Sequence, residues 1–201
     1  MLFPYLELVP MRSICFAVAA LAVAAPFAAK ATNIDPPKVP DAIVAPAGSK
    51  AFLIGHAVGT QNYICLPDGA VAKWVLFGPQ ATVFDDDGKQ IMTHFLSPNP
   101  AESGTPRATW QHSDRTSSVW AMKVAESDDA RYVEPGAIKW FLLQVKGTEE
   151  GSRPHDRLTK TTVVQRVNTA GGVAPASECA VAGDVGKTRF VPYTADYVFY
   201  K

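Results

Sequence analysis

From residue 51 onward the sequence is divided into short apolar or alternating runs, each ended by glycine, proline or aspartate. Residues 51–57, 60–66, 138–145 and 161–168 are such runs, and their length and alternation are typical of β-strands. Val58-Gly59 separates the first two and predicts a boundary between two strands. No stretch has the 3.6-residue period of an amphipathic helix. The sequence therefore predicts an all-β fold of about ten short strands with long loops, arranged as a single-domain β-sandwich or an irregular β-barrel.

Two connections between the runs are distinctive. Residues 85–88 read Asp-Asp-Asp-Gly, which is typical of a hairpin turn and lacks the spaced carboxylates and distal glutamate of a calcium loop. Residues 97–107 contain three prolines and Gly104. They predict a loop long enough to carry a function.

The first 31 residues have the features of a secretory signal. Arg12 precedes an apolar run over residues 14–29, and the small residues Ala29 and Ala31 flank Lys30. A positive start, a short apolar core and a small-x-small end are the pattern of a cleaved signal peptide, and the run is shorter than the ~20 residues that a membrane helix needs. We therefore expect cleavage near Ala31 and a periplasmic or extracellular protein.

The signal also bears on the start of translation and on the cysteines. Glu7 precedes the positive start, which indicates that translation begins at Met11. Cys15 lacks the preceding small residue of a lipoprotein site, so no lipid anchor is expected. Cleavage removes Cys15 and leaves Cys65 and Cys179. In an oxidising compartment this even count predicts one disulfide, with two unpaired buried thiols as the alternative.

Composition bounds the remaining chain. Lysine plus arginine and aspartate plus glutamate both number 19, so the formal net charge is +0, and no nucleic-acid partner is expected. No integral membrane span is expected either. Residues 32–50 are rich in proline and predict an extended lead-in, followed by one β-rich domain over residues 51–201.

The candidate site consists of His94, Trp110, His112 and Asp114. Alternation on a strand places Trp110, His112 and Asp114 on one face, with the last two about 7 Å apart. Imidazole and carboxylate groups could bind a metal ion if the segment of His94 pairs with this strand. The alternative is a partly buried histidine and aspartate that bond to loop backbone. No other cofactor is expected, and without a Gly-x-Ser-x-Gly motif no catalytic residue is assigned.

Several segments resemble the DUF3455 family of secreted bacterial and fungal proteins. They are residues 59–65, 74–79, 94–95, 110–114, 165–179 and 191–197. The resemblance spans nearly the whole mature chain and implies export, a single β-rich domain and pairing of Cys65 with Cys179. It implies no activity. The family's Asp-Gly-Ser after the tryptophan is Asp-Arg-Thr at residues 114–116 here, which argues against a catalytic turn.

These observations favour a non-catalytic exported domain that binds a small molecule, a glycan or a surface partner through residues 97–118. One alternative is a metal-dependent extracytoplasmic enzyme that uses His94, His112 and Asp114. Another is a structural envelope protein. An open apolar groove beside Trp110 would favour ligand binding, whereas a wide separation of His94 and His112 would argue against the metal site.

Overall fold

Eight antiparallel strands, each paired with the next in sequence, close into a barrel. The computed structural model describes residues 34–114, 117–152 and 157–201. In these residues the strands are β1 (Ala51–Asp68), β2 (Val71–Phe84), β3 (Gln90–Asn99), β4 (Thr105–His112), β5 (Ser117–Ser127), β6 (Trp140–Glu150), β7 (Val163–Gly171) and β8 (Thr188–Tyr200). Pairing of β1 with β8 closes the ring. The predicted all-β fold is confirmed, with eight described strands of 8 to 18 residues in place of about ten short ones.

The segment before β1 lies along the outside of the barrel. Ile43 is fully buried, and its backbone oxygen accepts a hydrogen bond from Gln165 Nε2 at 2.6 Å. Residues 34–50 of the predicted lead-in over residues 32–50 are described, and Asp41–Ile43 within them form a short 3-10 helix. The predicted signal over residues 1–31, with Met11 and Cys15, lies outside the described residues.

β1 runs without interruption through Val58-Gly59, where the sequence predicted a boundary between two strands. The expected boundary at Val58-Gly59 is wrong, because Gly59 lies within the strand opposite Ala81 of β2. A Cβ atom on Gly59 would lie 2.2 Å from the backbone oxygen of Gln80 and 2.5 Å from Cα of Ala81. The glycine therefore allows the two strands to approach closely.

The predicted loop over residues 97–107 is also mostly strand. β3 extends to Asn99 and β4 begins at Thr105, with Pro98 opposite Pro106. Proline has no backbone N–H, so neither of these two residues can donate a hydrogen bond to the other strand. On the opposite side of β3 the pairing with β2 has already ended at Phe95, so Pro98 interrupts no hydrogen bond between those two strands.

The aspartate-rich segment forms the β2–β3 hairpin turn, as predicted. The Asp85 carboxylate accepts hydrogen bonds from the backbone N–H groups of Asp87 and Lys89, at 3.2 and 2.8 Å. The next carboxylate, Asp86, contacts His56 Nε2 at 2.8 Å.

Alternation along the strands divides the buried side chains into two clusters. The cluster inside the barrel includes Val83, Met92, Trp110, Val119, Val164, Tyr197 and Phe199. The second cluster includes Ile43, Trp140, Val163, Val167, Val198 and Tyr200. β7 and β8 are therefore buried on both faces, which explains why their sequences are apolar at successive positions.

One disulfide bond joins β1 to the segment between β7 and β8. Cys65 and Cys179 are bonded, with their Cα atoms 5.7 Å apart, which confirms the predicted pairing. Closing a loop with a sequence separation of 114 stabilises a fold by roughly 4–5 kcal/mol in the chain-entropy account. Within the described part of the chain, no helix is long and apolar enough to cross a membrane.

We expect Gly59→Ala to lower the free energy of unfolding by about 2–3 kcal/mol. The new methyl group would overlap backbone atoms of β2, and these can shift only if that strand moves away from β1. Gly183→Ala is the matched control, since a Cβ there has no atom within 4 Å. Urea unfolding followed by tryptophan fluorescence measures both. Equal stabilities of the two variants would contradict the close approach of β1 and β2.

Candidate functional site

The barrel wall opens between β2 and β3. Their pairing stops at Gln80 opposite Phe95, whereas β3 stays paired with β4 as far as Asn99 opposite Thr105. The last part of β3 therefore separates from β2. On the far side of β4 the pairing with β5 begins only at Ala108 opposite Ala121.

A β-bulge in β2 lies beside this opening. Asn62 of β1 pairs with Gly78 and Tyr63 pairs with Leu76, so Phe77 is an additional residue in β2. A bulge bends the strand that carries it and is frequent next to functional sites. Here it turns β2 away from β3 at the height of the opening.

A cavity of about 280 Å³ lies inside the barrel at this opening. Apolar side chains dominate its lining, among them Leu76, Phe77, Leu96, Phe141 and Leu143. An outer groove of about 690 Å³ shares Phe77 and Leu96 with the cavity. Barrels of eight strands are just wide enough to be filled by side chains or to hold one small ligand, and this barrel is filled only in part.

An aromatic group lines the inner side of the cavity. The rings of His94 and Trp110 are stacked, with centroids 4.3 Å apart and an interplanar angle of 11°. Tyr197 packs against both rings at 4.8 and 5.1 Å. His94 and Trp110 point to the same side of the sheet because they lie opposite each other in the β3–β4 register, and Trp110 and Tyr197 belong to the cluster inside the barrel. The structure thus brings two of the four predicted site residues together beside an apolar cavity.

His94 is neutral in the folded protein. Burial lowers its pKa from 6.5 to about 3, although its bond to the Thr109 backbone acts in the opposite direction. The carbonyl oxygen of Thr109 lies 2.8 Å from His94 Nδ1 and can only accept. Nδ1 therefore carries the proton, and Nε2 is left without one.

Arg166 brings a buried positive charge to the cavity. Its side chain is 8% exposed, and its Nε and Nη2 donate to the backbone oxygen of Lys139 at 3.2 and 2.8 Å. The guanidinium carbon lies 3.8 Å from the centre of the Phe141 ring. Burial lowers the pKa of Arg166, while the hydroxyls of Tyr197 and Tyr193 raise it. Because the guanidinium group is effectively always protonated in proteins, Arg166 stays charged at neutral pH.

One further side chain of the lining keeps a donor without a partner. Gln61 and Trp110 are 2% and 0% exposed; the Gln61 side chain interacts with the Tyr193 hydroxyl, whereas Trp110 Nε1 makes no hydrogen bond. Buried polar groups are ordinarily paired. An unpaired donor beside a cavity is what a ligand with acceptor atoms would satisfy.

The other two predicted site residues lie elsewhere. His112 ends β4 and Asp114 follows in the next turn, and both line a separate cavity of about 220 Å³ together with Arg157. His112 Nδ1 accepts a hydrogen bond from the Asp114 backbone at 3.2 Å. Burial lowers the pKa of His112.

The structure does not bring His94, His112 and Asp114 together as one set of metal ligands. His94 lines the first cavity, and the other two residues line the second. Among the residues that the structure describes, no group of three or more histidine, cysteine, aspartate or glutamate side chains is arranged to hold a metal ion.

Residues 46–201 match the family described as "Protein of unknown function (DUF3455)". The chain belongs to the DUF3455 family. No curated protein and no solved structure matches the chain. The resemblance seen in the sequence is thus confirmed. All eight strands of the barrel, and Arg166 with them, lie within the region that matches the DUF3455 family.

Sequence reasoning missed Arg166, Gln61 and Phe141 as residues of the site. A signal for Arg166 was present, because it shares the face of β7 that carries Val164 and thus occupies a position where an apolar side chain is the rule. Gln61 had no such signal, since its burial follows from closure of the barrel around it.

We expect His94 to make the protein less stable as the pH falls. Unfolded histidine binds a proton below about pH 6.5, whereas folded His94 stays neutral down to about pH 3. The unfolded state therefore binds more protons in this window, and stability falls by about 2 kcal/mol between pH 8 and pH 5 through this group. Urea unfolding at both pH values should show that His94→Gln removes this part of the pH dependence.

His56 supplies a control of opposite sign. Hydrogen bonds to Asp86 and Asp196 raise its pKa, against the effect of burial. Its contribution to stability is therefore present below pH 6.5 and is lost as the pH rises through the folded pKa. His56→Gln should lose more stability at pH 5 than at pH 8. A pH dependence of His94→Gln identical to that of the parent protein would contradict the neutral, buried state of His94.

Proposed function

We propose that this DUF3455 protein is an exported, non-catalytic binding protein that holds one small molecule in the cavity beside the β2–β3 opening. The observation that carries the proposal is an open, mostly apolar cavity inside the barrel. Ligand sites in proteins combine such walls with a few placed polar groups. Here those groups are His94, Arg166 and Gln61.

The size of the cavity favours a small molecule over a glycan chain or a protein partner. A volume of about 280 Å³ is near the lower end of the range of ligand pockets. The walls belong to strands of a closed sheet, so the site is largely formed before a ligand enters. The predicted binding region over residues 97–118 contributes Pro106, Arg107, Ala108 and Trp110 to these walls.

The two other functions considered from the sequence have less support. A metal-dependent enzyme would need His94, His112 and Asp114 in one site, and they line two cavities. A purely structural envelope role gives no reason for an open apolar cavity lined by the buried Arg166.

Export is supported by the signal-like N-terminus and by the disulfide, since disulfides persist mainly outside the cytoplasm. We expect the protein isolated from cells that make it to begin at Thr32 and to be found in the periplasm or the medium. Fractionation followed by intact-mass measurement tests this. A cytoplasmic protein that retains residues 11–31 would contradict export.

Binding is tested with the neutral aromatic probes benzamide and 2-naphthamide, by titration calorimetry on the purified protein. We expect saturable binding of one probe molecule per chain. Ala108→Leu should weaken it at least tenfold, because the longer side chain enters the space that the probe would occupy. Steric loss of this kind is worth about 1–3 kcal/mol.

Ala101→Leu is the control, since Ala101 is exposed and does not line the cavity. It should bind as the parent protein does. Absence of saturable binding by these carboxamides and by the carboxylates of the same shape, or equal affinities of the two leucine variants, would overturn the proposed function.

A further inference from the structure

The charged residues around the cavity are all cationic. Arg107, Lys123 and Arg166 line it, and no aspartate or glutamate does among the described residues. Arg107 is paired with Glu102 by two bonds of 2.7 Å, and Lys123 is paired with Glu126. Two of the three cations are thus already neutralised by carboxylates that lie outside the lining.

Arg166 differs from the other two because its partners are neutral. It donates to the Lys139 backbone oxygen, contacts the Tyr197 hydroxyl and lies over the Phe141 ring. Within the described chain, no aspartate or glutamate forms an ion pair with it. A buried charge that lacks a counter-ion is strongly unfavourable unless something supplies one.

We propose that the ligand of this cavity is a small carboxylate with an apolar body, and that Arg166 binds its carboxylate group. The inference rests on the proposed binding function and specifies the chemistry of its ligand. A guanidinium presents several N–H donors in a planar fork that matches the two oxygens of a carboxylate. The apolar body then lies against walls that include Leu76, Leu96 and Leu143.

The remaining polar groups fit the same ligand. Trp110 Nε1 is a buried donor without a partner, and the Gln61 amide lies in the same lining, which suits a ligand rich in acceptor atoms. His94 is uncharged, so it adds no second charge that would call for a dianion. The unbalanced charge of the lining is therefore that of Arg166 alone, and a monocarboxylate balances it.

The test compares each carboxylate with its uncharged carboxamide of nearly equal shape. Benzoate, 2-naphthoate and octanoate are titrated into the purified protein beside benzamide, 2-naphthamide and octanamide. Because charged hydrogen bonds in buried sites are the strong ones, we expect the carboxylate of the best-binding pair to bind about tenfold to a hundredfold more tightly. This comparison needs no variant and does not depend on the folding of any mutant.

Variants then assign the preference to Arg166. Arg166→Gln should abolish it, and Arg166→Lys should keep part of it, because lysine retains the charge without the fork. Arg131→Gln, which removes one exposed arginine elsewhere, is the control and should keep it in full. Circular dichroism checks that each variant is folded.

The outcomes separate the two proposals. Equal binding of carboxylates and carboxamides would overturn the carboxylate inference and leave the binding function standing. Failure of every probe to bind would overturn both. A preference that persists in a folded Arg166→Gln variant but disappears in Lys123→Gln would place the carboxylate at the rim and would also overturn the inference.

Discussion

Pairing of β1 with β8 is the constraint on which the rest of this structure depends. It joins the first and last strands, so each described strand has a neighbour on both sides, and it fixes which side chains point into the barrel. β1 is the longest strand and pairs along most of its length with β2 and with β8. A strand with two such neighbours in a small barrel has to pass close to them, and Gly59 supplies the space where it meets β2. The disulfide from Cys65 holds the segment that leads from β7 to β8 against this strand.

Closure also creates the interior in which the proposed function takes place. Eight strands leave room that side chains only just fill, and large aromatic residues such as Trp110 and Phe199 fill much of it here. Where β2 separates from β3 the filling stops, and a cavity with apolar walls remains. Placing Arg166 there is unfavourable for folding, because its charge is buried without a carboxylate partner. A ligand that supplies the carboxylate turns this unfavourable feature into affinity and selectivity.

Much of the fold could be predicted from the sequence because it follows from local pattern. Alternating runs, the Asp85 turn and an even cysteine count led to an all-β domain with the Cys65–Cys179 bond. The continuous strand through Val58-Gly59 and the strands within residues 97–107 could not be predicted, because glycine and proline are typical of turns. In this barrel Gly59 instead allows two strands to approach closely, and Pro98 lies where β3 has no partner on one side. Of the site, His94 and Trp110 were found because aromatic and titratable residues are conspicuous in a strand. Arg166 was missed because the counter-ion that it lacks becomes apparent only when its neighbours are known.

The central claim is that Arg166 receives the carboxylate of a small apolar ligand inside the barrel. It is tested most directly by a crystal structure of the complex with the tightest-binding carboxylate of the series. The account predicts the apolar body within the cavity and both carboxylate oxygens at roughly 3 Å from guanidinium nitrogens of Arg166. A ligand bound outside the cavity, or inside it with its carboxylate directed away from Arg166, would contradict the account.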